Sequence, residues 1–203
     1  METHHALKVG TAGWTIPSRY ARDFPELGSH LTRYSARFSA VEINSTFRRQ
    51  HMQRTFEKWA ASVPDSFRFS VKFPKRISHE LRLIDAEEDV KVFLDQISVF
   101  QEKLGPLLLQ LPPTLTYDWK TAVAFLKPLQ SAQPRIVIEP RHASWFDPEA
   151  DNLLNDYSIS RVAADPAISI RGSRPGGDVN VSYFRLQRRA STIQNMAPTF
   201  SLI

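Results

Sequence analysis

The chain contains no cysteine, which excludes disulfides, thiolate metal ligands and a cysteine nucleophile. It also lacks any apolar run near the ~18 residues that a membrane-spanning helix needs, and its opening residues, Met1-Glu2-Thr3-His4-His5, lack the apolar stretch of a secretory leader. A cytoplasmic protein without a membrane partner is expected. Nucleotide-binding glycine loops are missing too: there is no G-x-G-x-x-G and no P-loop, and Gly10-Thr11-Ala12-Gly13 reads as a tight turn after a strand. No His-x-x-x-His or comparable ligand spacing occurs. Glu42, Glu139, Asp165 and His79 have the oxygen and imidazole donors that divalent ions accept, but no local spacing supports them, so no metal or cofactor is assigned.

What is present suits a globular fold. The 203 residues are 42% hydrophobic and 23% charged, enough for one sizeable core. A net charge of +5 favours an anionic partner, either a small molecule or a nucleic acid. Part of that excess lies late in the chain, in Arg171, Arg174, Arg185, Arg188 and Arg189. Oligomeric state is not legible.

Strand-like apolar runs alternate with helix-like segments, the pattern of βα units around a parallel sheet. The runs are Lys8–Thr11, Ala40–Asn44, Phe67–Val71, Leu107–Leu109, Arg135–Ile138, Arg161–Ala164 and Val181–Phe184. Helical spacing is expected over Gly28–Phe38, Met52–Ala61, Asp85–Lys103, Tyr117–Leu129 and Asp147–Tyr157, the last opened by an Asp147-Pro148 start signal. The order is that of a TIM-type (β/α)8 barrel with its last βα unit missing, since after Leu186 the sequence turns polar and shows no period. The expected layout is a flexible N-terminus over 1–6, a barrel domain over 7–186 and an atypical tail over 187–203.

Five ordered motifs carry a family resemblance: Gly10-Thr11-Ala12-Gly13-Trp14, Val41-Glu42-Ile43-Asn44-Ser45-Thr46-Phe47, Lys72-Phe73-Pro74 with His79, Leu109-Gln110-Leu111-Pro112-Pro113, and Glu139-Pro140-Arg141-His142-Ala143-Ser144-Trp145. Together they resemble the DUF72 (YecE-like) family over roughly residues 7 to 186. The resemblance implies a TIM-barrel fold and no established activity. Arg48 stands where the family usually has an aromatic residue, and Pro140 where it has an apolar one. The resemblance also implies a His-Gly pair, a helix and a final strand after the seventh strand. Here Gln187-Arg188-Arg189 follows instead, as in a truncated or frameshifted relative.

Nearly every strand-like run ends in a charge or an amide, and carboxyl ends of parallel strands line ligand crevices. Glu42 and Glu139 are candidate acid and base for a hydrolase or lyase, or else counterions that hold the mouth together. Lys72 is a candidate nucleophile or, more simply, an anion-binding lysine. Arg141 and Arg185 suit phosphate or carboxylate, and Trp14 and Trp145 offer flat surfaces for a ligand or a hydrophobic lid. Asn44, Gln110 and Asp165 complete the expected ring, and His79 is a further candidate ligand contact. The leading expectation is an enzyme binding an anionic, phosphate-bearing small molecule or nucleic-acid fragment; the alternatives are a non-catalytic nucleic-acid binding protein and an inactive remnant.

Overall fold

The computed structural model describes residues 7–132, 134–186 and 200–202. The expectations for 1–6 and for most of 187–203 lie outside these. Ten strands are described: β1 (Val9–Thr11), β2 (Ala40–Ile43), β3 (Arg68–Lys72), β4 (Leu104–Gln110), β5 (Ile136–Glu139), β6 (Ser160–Arg161), β7 (Ala163–Asp165), β8 (Gly176–Gly177), β9 (Phe184–Leu186) and β10 (Phe200–Leu202). Five α-helices accompany them: α1 (His30–Ser35), α2 (Gln53–Ala61), α3 (Glu87–Ile97), α4 (Trp119–Ala132) and α5 (Pro148–Asp156).

The fold is mixed α/β with a parallel sheet. Strands β2 to β6 pair side by side in parallel, with β8 antiparallel at the end, and a second sheet runs β1-β10-β9-β7. Two short links connect the sheets: a parallel bridge from Ala12 to Glu42, and the single residue Val162 between β6 and β7. Gly10 is needed at the first link, because a Cβ there would lie 2.2 Å from the Ala40 carbonyl oxygen. A barrel without its last βα unit would leave the first strand and the strand running into Arg185 as bare edges. Instead, β10 lies between β1 and β9 and pairs antiparallel with both.

Alternation along the strands sorts their side chains onto two faces. Val41, Ile43, Phe69, Val71, Leu107, Leu109, Ile136 and Ile138 pack in the large core under the helices. The intervening residues turn inward, where Leu108, Val137, Val162 and Tyr183 form a second, smaller cluster. Continuing each inward row by two residues reaches Gln110 from Leu108, Glu139 from Val137, Lys72 from Ser70 and Arg185 from Tyr183.

Four of the helices follow their sequence signals with shorter bounds, while α4 starts two residues later than expected and runs three residues past Leu129. In α3, Glu87, Glu88 and Asp89 favour the positive N-terminal end, while Val90, Phe93 and Ile97 are buried. The helix expected to run on to Lys103 ends at Ile97, and Ser98–Lys103 forms a tight turn in which Gln101 has φ 47°. Asp147 takes the N-cap position of α5 with Pro148 as first helical residue, but its side chain makes no capping bond. Among the described residues no helix is long and apolar enough to cross a membrane.

Candidate functional site

Sheet register assembles the polar strand ends. Glu42 lies beside Ser70 across β2 and β3, and Gln110 beside Glu139 across β4 and β5. Arg185 on β9 reaches both carboxylates. Its Nε and Nη2 donate to the two oxygens of Glu42, each at 2.9 Å, and its Nη1 donates to Glu139 Oε2 at 2.5 Å. Glu42, Glu139 and Arg185 are 0%, 1% and 3% exposed, so this forked contact replaces the water each charge has lost. Burial alone would lower the Arg185 pKa, but Glu42 and Glu139 outweigh it and hold the guanidinium firmly protonated.

Further donors complete the carboxylates' shells. Tyr183 Oη donates to Glu42 Oε2 at 3.0 Å and also contacts Ser70 Oγ at 3.0 Å. Gln110 Nε2 donates to Glu139 Oε2 at 2.8 Å, and half-buried Arg141 donates to Glu139 Oε1.

Lys72 is bound differently. Its Nζ donates to Gln110 Oε1 at 2.9 Å and lies 3.9 Å above the centre of the Phe47 ring. Among the described residues no carboxylate lies within ion-pair distance of Lys72. Burial first, then Arg185 and Arg141, lower its pKa to about 8 against the partial opposition of Glu42 and Glu139. The Phe47 ring also meets the His79 imidazole edge-on at 4.9 Å, and His79 Nδ1 is 2.8 Å from Ser78 Oγ. Burial and the charges of Lys72 and Lys75 hold His79 below the usual histidine range. Asn44 Oδ1 is a buried acceptor with no hydrogen-bond partner among the described residues.

The structure therefore brings together Glu42, Lys72, Gln110, Glu139, Arg141 and Arg185, with His79 joined through Phe47. Three expected ligand contacts have other surroundings. Trp145 is 2% exposed; its indole N–H donates to the Leu115 carbonyl at 2.9 Å, and its ring packs against Tyr117 in the main core. Trp14 is half-buried and packs edge-on against Trp59 at 4.8 Å. Asp165 is exposed and in register with Leu186, one residue off Arg185, which turns it to the opposite strand face.

Tyr183, Ser70 and Phe47 belong to the cluster without having been singled out in the sequence. The first two were detectable, since each stands two residues before a predicted site residue and so shares its face. A separate ion pair, buried Arg161 with partly exposed Asp151 at 2.8 Å, fastens β6 to α5.

Among known proteins, the family described as "Protein of unknown function DUF72" matches residues 8–200. The chain is 32% identical over 175 residues to the UPF0759 protein YecE of Escherichia coli K12, covering 83% of this chain and 62% of that protein. It is 28% identical over 150 residues to the UPF0759 protein YunF of Bacillus subtilis, covering 70% of this chain and 53% of YunF. The crystal structure of a DUF72 family protein from Thermotoga maritima superposes with a TM-score of 0.63 at 28% identity, over 77% of this chain and 64% of that one. A DUF72 family protein from Enterococcus faecalis gives 0.64 at 23% identity, over 76% and 59%. The chain thus spans less than two thirds of the length of these relatives.

Proposed function

The chain belongs to the DUF72 family, and from that premise we propose that its strand-end cluster binds an anionic small molecule carrying a phosphate or carboxylate, with Lys72 as principal contact and Arg141 as second. The observation that carries this reading is the difference in pairing. Glu42 and Glu139 are both engaged by Arg185, whereas the Lys72 ammonium is buried with an amide oxygen and an aromatic face for partners. An anion arriving there would supply the charge that Lys72 lacks, while Arg141, with 23% of its side chain exposed, adds a planar donor fork. In this reading Glu42 and Glu139 are counterions that set Arg185 in place. The unpartnered oxygen of Asn44 would accept a ligand hydroxyl or N–H.

The same reading makes the strands a TIM-type barrel, with the cluster at the carboxyl ends of its parallel strands. The parallel run from β2 to β6 and the parallel Ala12–Glu42 bridge support it, while β10 fills the gap between β1 and β9 in the antiparallel sense. Calorimetric titration with inorganic pyrophosphate tests the binding. Affinity should fall about tenfold or more in Lys72→Met, as expected when a charge-assisted contact is lost. Equal affinity in wild type and variant would remove Lys72 from the site.

A further inference from the structure

Lys72 combines features that anion binding does not require. The residue is 7% exposed, and its ammonium has no carboxylate partner among the described residues and shares its surroundings with two guanidinium groups, Arg185 and Arg141. Desolvation beside other cations is how proteins make a lysine amine nucleophilic near neutral pH. Phe47 also lines a cavity of about 740 Å3, together with Thr46, Arg48, Arg49, Pro74 and Lys75 among others. The Phe47 ring therefore covers the amine with one face and helps wall a space of ligand size. The His79 imidazole meets the same ring and is held below the usual histidine range, so at pH 7 it is a neutral base.

We propose that Lys72 captures the carbonyl group of an anionic aldehyde or keto acid as an imine, with His79 moving the proton. This rests on the anion-binding reading and narrows its ligand class. In the step, the Nζ lone pair forms a C–N bond while the carbonyl π pair moves to oxygen. His79 takes a proton from the nitrogen and returns it to that oxygen, giving the carbinolamine; it then moves the second nitrogen proton to the hydroxyl, which leaves as water as the C=N bond forms. Amine plus carbonyl gives imine plus water, with no change in oxidation state. Charges around the amine act in both directions: Arg185 and Arg141 favour the neutral amine, whereas Glu42 and Glu139 favour the ammonium.

The test is borohydride trapping of the wild-type chain with glyoxylate at pH 7, followed by peptide mass mapping. Reduction should leave the adduct mainly on Lys72, at least about tenfold over exposed lysines such as Lys75, because its lower pKa leaves far more neutral amine. Excess pyrophosphate should suppress it. Lys72→Arg should still bind pyrophosphate and give no adduct above the exposed-lysine background. His79→Ala should slow trapping with pyrophosphate affinity unchanged. An adduct spread evenly over exposed lysines, with pyrophosphate still bound, would overturn imine chemistry and leave the anion site standing. Loss of both signals in folded wild-type protein would overturn the two readings together.

Discussion

Arg185 and Lys72 stand on two sides of one cluster, both cations below the surface at 3% and 7% exposure, and the protein treats them oppositely. Arg185 receives two carboxylates in forked geometry and is held firmly protonated. Lys72 receives an amide oxygen and an aromatic ring, and its pKa falls to about 8. A buried charge with its partners inside the fold serves assembly, because removing any member leaves the others exposed to a low dielectric. A buried charge lacking such a partner costs stability and is open to one from outside. The β9 side therefore reads as scaffold, and the β3 side is where the proposed anion would bind.

The largest way to break this comparison is Arg185→Leu. Two buried carboxylates would lose their shared partner, and denaturant unfolding should show a loss of about 3–5 kcal/mol. A loss below about 1 kcal/mol, within the range of surface ion pairs, would mean that the β9 side is not scaffold.

Lys72→Met should have the opposite sign. Lowering a lysine from 10.5 to about 8 corresponds to roughly 3 kcal/mol of native-state cost, carried in full below pH 8. Between about 8 and 10.5 the unfolded chain binds the proton that the folded chain has released, so wild-type stability rises with pH in that window. Above pH 10 Tyr34, whose pKa burial pushes up to about 12, tilts the curve the other way, because its hydroxyl keeps its proton only when folded. Wild type should thus gain stability from pH 8 to 10, and Lys72→Met should be flat there and more stable than wild type at pH 7. Parallel curves for the two proteins would contradict the assignment.

A smaller effect sharpens the scaffold side. Tyr183→Phe removes one buried donor to Glu42 and leaves the Arg185 fork in place, so it should cost about 1–3 kcal/mol and leave pyrophosphate affinity unchanged. A larger change in affinity than in stability would place Tyr183 on the functional side.

Much of this arrangement was legible before the fold, for a physical reason. Strand alternation is strict, so residues such as Lys72, Gln110 and Glu139, placed just after apolar runs, had to lie near the strand ends. Which of them would pair was not legible, because Arg185 lies 143 residues from Glu42 along the chain and only sheet order brings them together. Tyr183 was overlooked because an aromatic residue in a strand is ordinarily core, and its hydroxyl finds Glu42 across 141 residues. Trp145 shows the reverse difficulty. It lies in the short turn Ala143–Phe146, where no periodicity indicates direction, and it turns into the core instead of over the mouth. The helix expected to extend to Lys103 ends at Ile97, and the chain then turns sharply at Gln101, a bend that no glycine or proline marks at that residue.

The division of labour between the two cations is tested most directly by following the Lys72 side chain by NMR in protein made with isotope-labelled lysine, titrated with and without inorganic phosphate. The account predicts a midpoint near 8 that rises towards the ordinary lysine value when phosphate binds, because the arriving anion supplies the missing counter-charge. A midpoint at the ordinary value of 10.5, unmoved by phosphate, would contradict it.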